Sequence, residues 1–207
     1  KAGKTVLSDL TATQVGALNP MRKIYDTSIA KGRYVYIRKN VGANNHLSLS
    51  EVEVWNLKGE NIALKGRAGV QVSKSDQFDD GWHKSDNVND GKENTSDGIF
   101  ASKTTEGGWL QIDLGSVVDI GGLSLFGRAD GGTSQNGNYT VFVSDSDIHG
   151  KSISELTNKP GVSFYTQGAQ TSPLVNITEP LSAVFVGVSG NIGGDLYKVD
   201  NANDVVV

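Results

Sequence analysis

Glu51 is the side chain whose position most needs a chemical reason. In Leu47-Ser48-Leu49-Ser50 the apolar residues hold the odd phase, whereas Val52 and Val54 hold the even one. Alternate residues of a strand face opposite sides. Either the strand bulges near Ser50, or Glu51 points inward with the leucines. An inward carboxylate needs a partner, which a Lys, an Arg or a cation could supply. Downstream, Asp90-Gly91 is either a plain turn or a second oxygen donor. In an EF-hand register Asp86, Asp90, Gly91 and Asp97 would take the first, fifth, sixth and twelfth positions. Val88 would then fall on the third, which requires an oxygen ligand, and no helical pattern flanks the loop, so an EF-hand is excluded.

A second group could recognise polar ligands. Arg128 can make paired hydrogen bonds to vicinal hydroxyls or to a carboxylate. With Asp130 two residues on, the plain alternative is an ion pair. Trp82 and His83 sit in SDQFDDGWHK, a loop rich in polar and turn residues. An aromatic on such a loop suits a sugar-stacking platform, or else anchors the loop. Phe78 and Tyr139 are further contributors, while Trp55 and Trp109 are strand residues expected to pack. Catalysis is not expected. The chain has 3 His without partner spacing, and no Gly-x-Ser-x-Gly, P-loop or His-Glu-x-x-His motif. Glu51 and Glu53 lie on one side of one strand, with no facing carboxylate to complete a glycosidase pair. Asn94, Asn138 and Asn176 begin glycosylation sequons, which matter only in a eukaryotic secretory protein.

These side chains need a turn-rich scaffold. The chain has 207 residues, 26 of them Gly, against about 7% Gly in an average protein. Turns separate short β patterns at residues 34–37, 47–50, 52–54, 109–114, 123–126, 139–143 and 184–188. No long helical pattern intervenes, which argues for a β-sandwich or jelly roll. Residues 1–31 are poorer in apolar positions and read as an extension or linker, with a short helix over residues 21–30 after Pro20. Residues 32–207 form the expected sandwich. A net charge of −4 leaves no broad basic face for nucleic acid. No apolar run approaches a membrane span. With 0 Cys, disulfides and thiolate chemistry are excluded. The chain starts at Lys1 and reads as a mature form or an excised fragment.

The segment GRYVYIRKNVGANNHLSLSEVEVWN, residues 32–56, resembles the closing strands of the discoidin-like superfamily: factor 5/8 type C domains, family 32 carbohydrate-binding modules and fucose-binding lectins. Residues 61–66 are similar to that family's opening strand, and Asn87-Val-Asn-Asp-Gly91 to its N-A-V-D-G loop. GGWLQIDLGSVVDIGGLSLFGR, residues 107–128, looks like its P-W-W-Q-V-D-L-G strand and the next one. The closing piece comes first here. A permuted domain or the tail of a preceding repeat would both give this order. Permutation is favoured, because a single sandwich needs those strands to close and its termini lie close together.

The resemblance implies an all-β antiparallel sandwich with Ca²⁺ bound at Glu51 and Asp90. Carbonyls of Asn87, Lys92 and Ser50 and a further ligand near Ser102 would complete the set, and such hard oxygen donors suit calcium. It also maps a lectin motif of His, Arg-x-Asp and a basic residue onto Lys103, Arg128, Asp130 and Gln135. Two members are substituted, so fucose specificity does not carry over. The expected function is a non-catalytic, calcium-stabilised module that binds a glycan or polysaccharide on an extracellular, cell or virion surface, with Trp82 and His83 at the site. Weak single sites would work through avidity in a homo-oligomer or larger assembly, or on a cell-surface receptor. The alternatives are a structural or protein-interaction sandwich and an accessory module of a polysaccharide-degrading enzyme. Few apolar residues lie on the loops, which speaks against membrane insertion.

Overall fold

The computed structural model describes residue 25 and residues 27–43, 45–93 and 98–184. Ten strands occur among them. They are β1 Ala30–Lys39, β2 Ser48–Leu49, β3 Glu51–Asn56, β4 Gln71–Lys74, β5 Phe100–Ala101, β6 Trp109–Phe126, β7 Gly137–Ser144, β8 Val162–Ala169, β9 Leu174–Ile177 and β10 Ser182–Ala183. One helix, α1 Ile153–Thr157, lies between β7 and β8.

The spine is β6. The patterns at residues 109–114 and 123–126 are two halves of this one strand. Its first half pairs with β1 and β4, and its second half with β3 and β9 and, at residues 118–120, with the start of β1, all antiparallel. Between the halves the chain crosses from one layer to the other. Gly115 makes the crossing at φ 82°, with Gly69 packed against it so closely that a Cβ would lie 3.0 Å from the Gly69 Cα. Only a residue without a side chain fits both demands. The first layer runs β4-β6-β1-β7-β8-β10 and the second is β3-β6-β9.

Period-2 patterning gives the core. Val35, Ile37, Leu110, Ile112, Val141 and Val143 of the first layer meet Val52, Val54, Leu123, Leu125, Val175 and Ile177 of the second in one buried cluster. Truncating Ile112 to Ala would cost about 2–5 kcal/mol. The intervening residues of the first layer are also covered. Tyr36, Phe142 and Val162 pack with Ile148 and Leu156 beneath α1. A capping box starts that helix, with Glu155 N donating to Ser152 Oγ and Ser152 N to Glu155 Oε2.

Several expectations are corrected. Residues 61–66 are not a strand: Asn61 Oδ1 accepts from Val54 N and Ala63 N, bending the chain. A helix does not run to Ala30, which opens β1, and Ile29 is already packed in the core. Residues 21–24 of that helix lie outside the described residues, as do residues 185–188 of the expected last strand.

Both β1 and β3 pair directly with β6. The register brings the end of β1, the end of β4 and the starts of β3, β6 and β7 to one end of the sandwich. The loops there carry nearly every candidate residue.

Candidate functional site

Arg128 lies two residues past the end of β6, and its backbone is clamped by the buried Asn136. Asn136 Oδ1 accepts from Arg128 N at 2.8 Å, and Asn136 Nδ2 donates to Arg128 O at 2.9 Å. A Cβ on Gly127 would collide with the Asn136 amide, so this close approach requires glycine. The guanidinium donates to Asp130 through two bonds, Nε to Oδ1 at 2.8 Å and Nη2 to Oδ2 at 2.7 Å. Its third nitrogen reaches Gln135 Oε1 at 3.3 Å. The Arg128 bond holds the Asp130 carboxyl down at about 2, and the same bond raises Arg128. The pair therefore stays charged across the physiological range.

Trp82 lies beside it, with the Arg128 Cζ 5.4 Å from its ring centroid. Asp80 shapes this loop. Its Oδ1 accepts from Trp82 N and His83 N, and its Oδ2 lies 2.7 Å from His83 Nδ1. The His83 backbone bond is the largest cause of a lowered Asp80 carboxyl. An aromatic row continues from Trp82 to His83, Phe78 and His46, with centroids 4.8, 5.1 and 5.1 Å apart in turn. The expected ligand residues Arg128, Asp130, Gln135, Trp82 and His83 thus come together. Lys103 is exposed on the loop after β5, whose next residue, Thr104, donates through Oγ1 to Asp76 Oδ1 at the start of the Trp82 loop. Tyr139 is withdrawn into the core at 4% exposure.

Lys39 was not foreseen. It is 1% exposed, and its ammonium donates to Gln135 O at 3.0 Å and Gly137 O at 2.8 Å. Burial pushes it down to about 8. With Ser48 Oγ donating to Gln135 Oε1, it fixes the turn that presents Gln135. The signal was present in the alternation Val35, Ile37, Lys39, which puts the lysine on the inward face.

At Glu51 both structural options are realised. The chain breaks strand geometry at Ser50, and Glu51 is fully buried. Its oxygens accept from Asp90 N and Gly91 N, each at 3.1 Å. Burial pushes the carboxyl up to about 8, with the charges of Asp90 and Glu53 adding to this. Among the described residues no Lys or Arg forms an ion pair with it. Asn87 closes a 3-10 turn, Ser85–Asn87, leading into this loop, and Asp90 Oδ1 accepts from Lys92 N at 3.0 Å. Ser50 Oγ donates to Gly127 O at 3.0 Å. Ser102 is not brought here. The β2–β5 register sets it opposite Leu47, and its hydroxyl accepts from Leu47 N and donates to Thr104 O. No three His, Asp or Glu side chains among the described residues form a metal cluster, so a cation would draw on Glu51, Asp90 and main-chain carbonyls. A buried carboxylate with no basic partner fits such a role.

The sequence model of the F5/8 type C domain family matches residues 71–193. The chain belongs to the F5/8 type C domain family. No curated protein and no solved structure gives a significant match. F5/8 type C domains are discoidin-like, generally non-catalytic modules that often bind carbohydrates or proteins, usually in extracellular or surface proteins. In this F5/8 type C domain no described helix is long and apolar enough to cross a membrane.

Proposed function

We propose that this F5/8 type C domain is a non-catalytic lectin-like module. It binds a glycan at the loop end of the sandwich and serves adhesion or targeting on a cell or virion surface. The observation that carries the reading is the Arg128–Asp130–Gln135 constellation beside Trp82. Arg128 is preorganised by its clamp and by Asp130, so little side-chain entropy is lost when it meets sugar hydroxyls. Asp130 offers acceptors, Gln135 its amide NH₂ as a donor because its Oε1 already accepts from Ser48 and Arg128, and Trp82 an apolar surface for a ring's C–H face.

Calcium at Glu51 and Asp90 is the second part of the proposal. It would neutralise the buried carboxylate and tie the loop at residues 87–93 to β3, replacing the disulfide that a Cys-free chain lacks. The pairing of both β1 and β3 with β6 supports a permuted single sandwich. A glycan array run with calcium and with chelator tests the reading. Saccharide hits support it; an array without hits favours a protein partner.

A further inference from the structure

A separate groove lies on the outer face of the first layer, beside α1. It encloses about 470 Å³, within the range of small-ligand sites. Arg38, Asn40, Thr140 and Thr166 line it from the sheet side, and Ser154 and Thr157 from the helix. Val41, 80% exposed, and Ile153 add apolar surface. None of the lining residues belongs to the Arg128 constellation.

Arg38 distinguishes this groove. Its Nη1 donates to Tyr36 Oη at 2.9 Å, and Tyr36 Oη donates to Lys151 O at 3.1 Å. Gly107 packs against the other side, where a Cβ would lie 2.8 Å from Nη2. The guanidinium is thus held in place. Yet among the described residues no carboxylate forms an ion pair with it, whereas Arg33 has Asp113 and Arg128 has Asp130. The neighbouring acids are engaged: Glu155 accepts from Ser152 N and Oγ, and Glu106 from Gly42 N. Asn40 Oδ1 accepts from Thr140 Oγ1 at 2.8 Å, which leaves its amide NH₂ as a donor. Thr140 Oγ1 also lies 3.2 Å from Thr166 Oγ1.

We propose that this groove is a second saccharide site, selective for a sugar unit bearing a carboxylate, such as a uronic acid. Arg38 holds the carboxylate through paired hydrogen bonds. Asn40 and the threonine and serine hydroxyls take the ring hydroxyls, and Val41 and Ile153 cover the apolar C–H surface. The inference shares only its ligand class with the proposed function, and the groove stands whether or not the Arg128 face binds.

Amide chemical shifts recorded during titration with glucuronate, glucose and acetate test it. Glucuronate is expected to shift Asn40, Val41 and Thr166 at least tenfold more tightly than either control. Arg38→Gln is expected to weaken glucuronate at least tenfold, and so is Thr166→Glu, which places a repelling charge on an exposed strand position without touching the core. Arg128→Ala should leave these shifts unchanged. The proposal is overturned if glucuronate shifts none of these amides, or only those of residues 75–84 and 127–136. Equal affinity for acetate or glucose overturns it too, as does wild-type affinity in Thr166→Glu or in a folded Arg38→Gln.

Discussion

Asn136 grips Arg128 from both sides, accepting from its backbone N–H at 2.8 Å and donating to its carbonyl at 2.9 Å. The same amide donates to Thr171 O at 3.3 Å, so one buried side chain joins three stretches of loop. The guanidinium's direction is therefore set by the backbone beneath it.

Breaking that grip should disable the binding face. Asn136→Ala leaves the part-buried Arg128 backbone N–H and C=O without their partner, which costs about 1 kcal/mol or more. Gly127→Ala is expected to do comparable damage, because its methyl would displace the Asn136 amide. Chemical denaturation should show the stability loss, and glycan affinity should fall in both variants.

Trp82 is expected to act by stacking. Trp82→Ala should weaken glycan binding about tenfold or more, while Trp82→Phe retains part of the affinity. Because the ring lies half-buried on a loop, calorimetric Tm should move by only a few degrees. A large loss of Tm would instead mark the ring as a loop anchor.

Calcium should stabilise the native state and not the unfolded one. At a free concentration one hundred times Kd it adds about 2.7 kcal/mol. Thermal melts of metal-stripped protein should rise on adding calcium, and Glu51→Gln should remove most of that rise. Identical melts with calcium and chelator would remove the metal from the account.

Lys39 predicts the alkaline behaviour. Its folded value, about 8, lies below the ordinary 10.5, so between these pH values the unfolded chain binds more protons. Stability contributed by this group therefore rises with pH across that window, the charged lysine being a cost below it. Lys39→Met should flatten the rise in urea midpoints between pH 8 and 9.5, below the main range of tyrosine ionisation.

Much of the site was legible in the residues themselves. Arg128 and Asp130 stand two residues apart as a paired donor and acceptor, and the polar loop around Trp82 marked it as exposed chemistry. Glu51 announced itself by breaking phase with Val52 and Val54. What stayed hidden depends on tertiary pairing. β4 reads Gln-Val-Ser-Lys, an exposed edge with almost no apolar signal, and forms because β6 offers it backbone partners. β9 lies just after Pro173, where punctuation masked it. Ile62 and Ala63 looked like a strand, yet their burial comes from a turn organised by the Asn61 amide. Lys103 and Gln135 follow only from the chain's resemblance to a family with a spaced lectin motif, since neither residue type signals a site by itself.

The central claim is that Arg128 carries glycan recognition. Its most direct test compares wild type with Arg128→Ala on a calcium-containing glycan array, with both proteins shown to melt alike. The account predicts defined saccharide hits for wild type and their loss in the variant. Hits that survive unchanged in Arg128→Ala would contradict it.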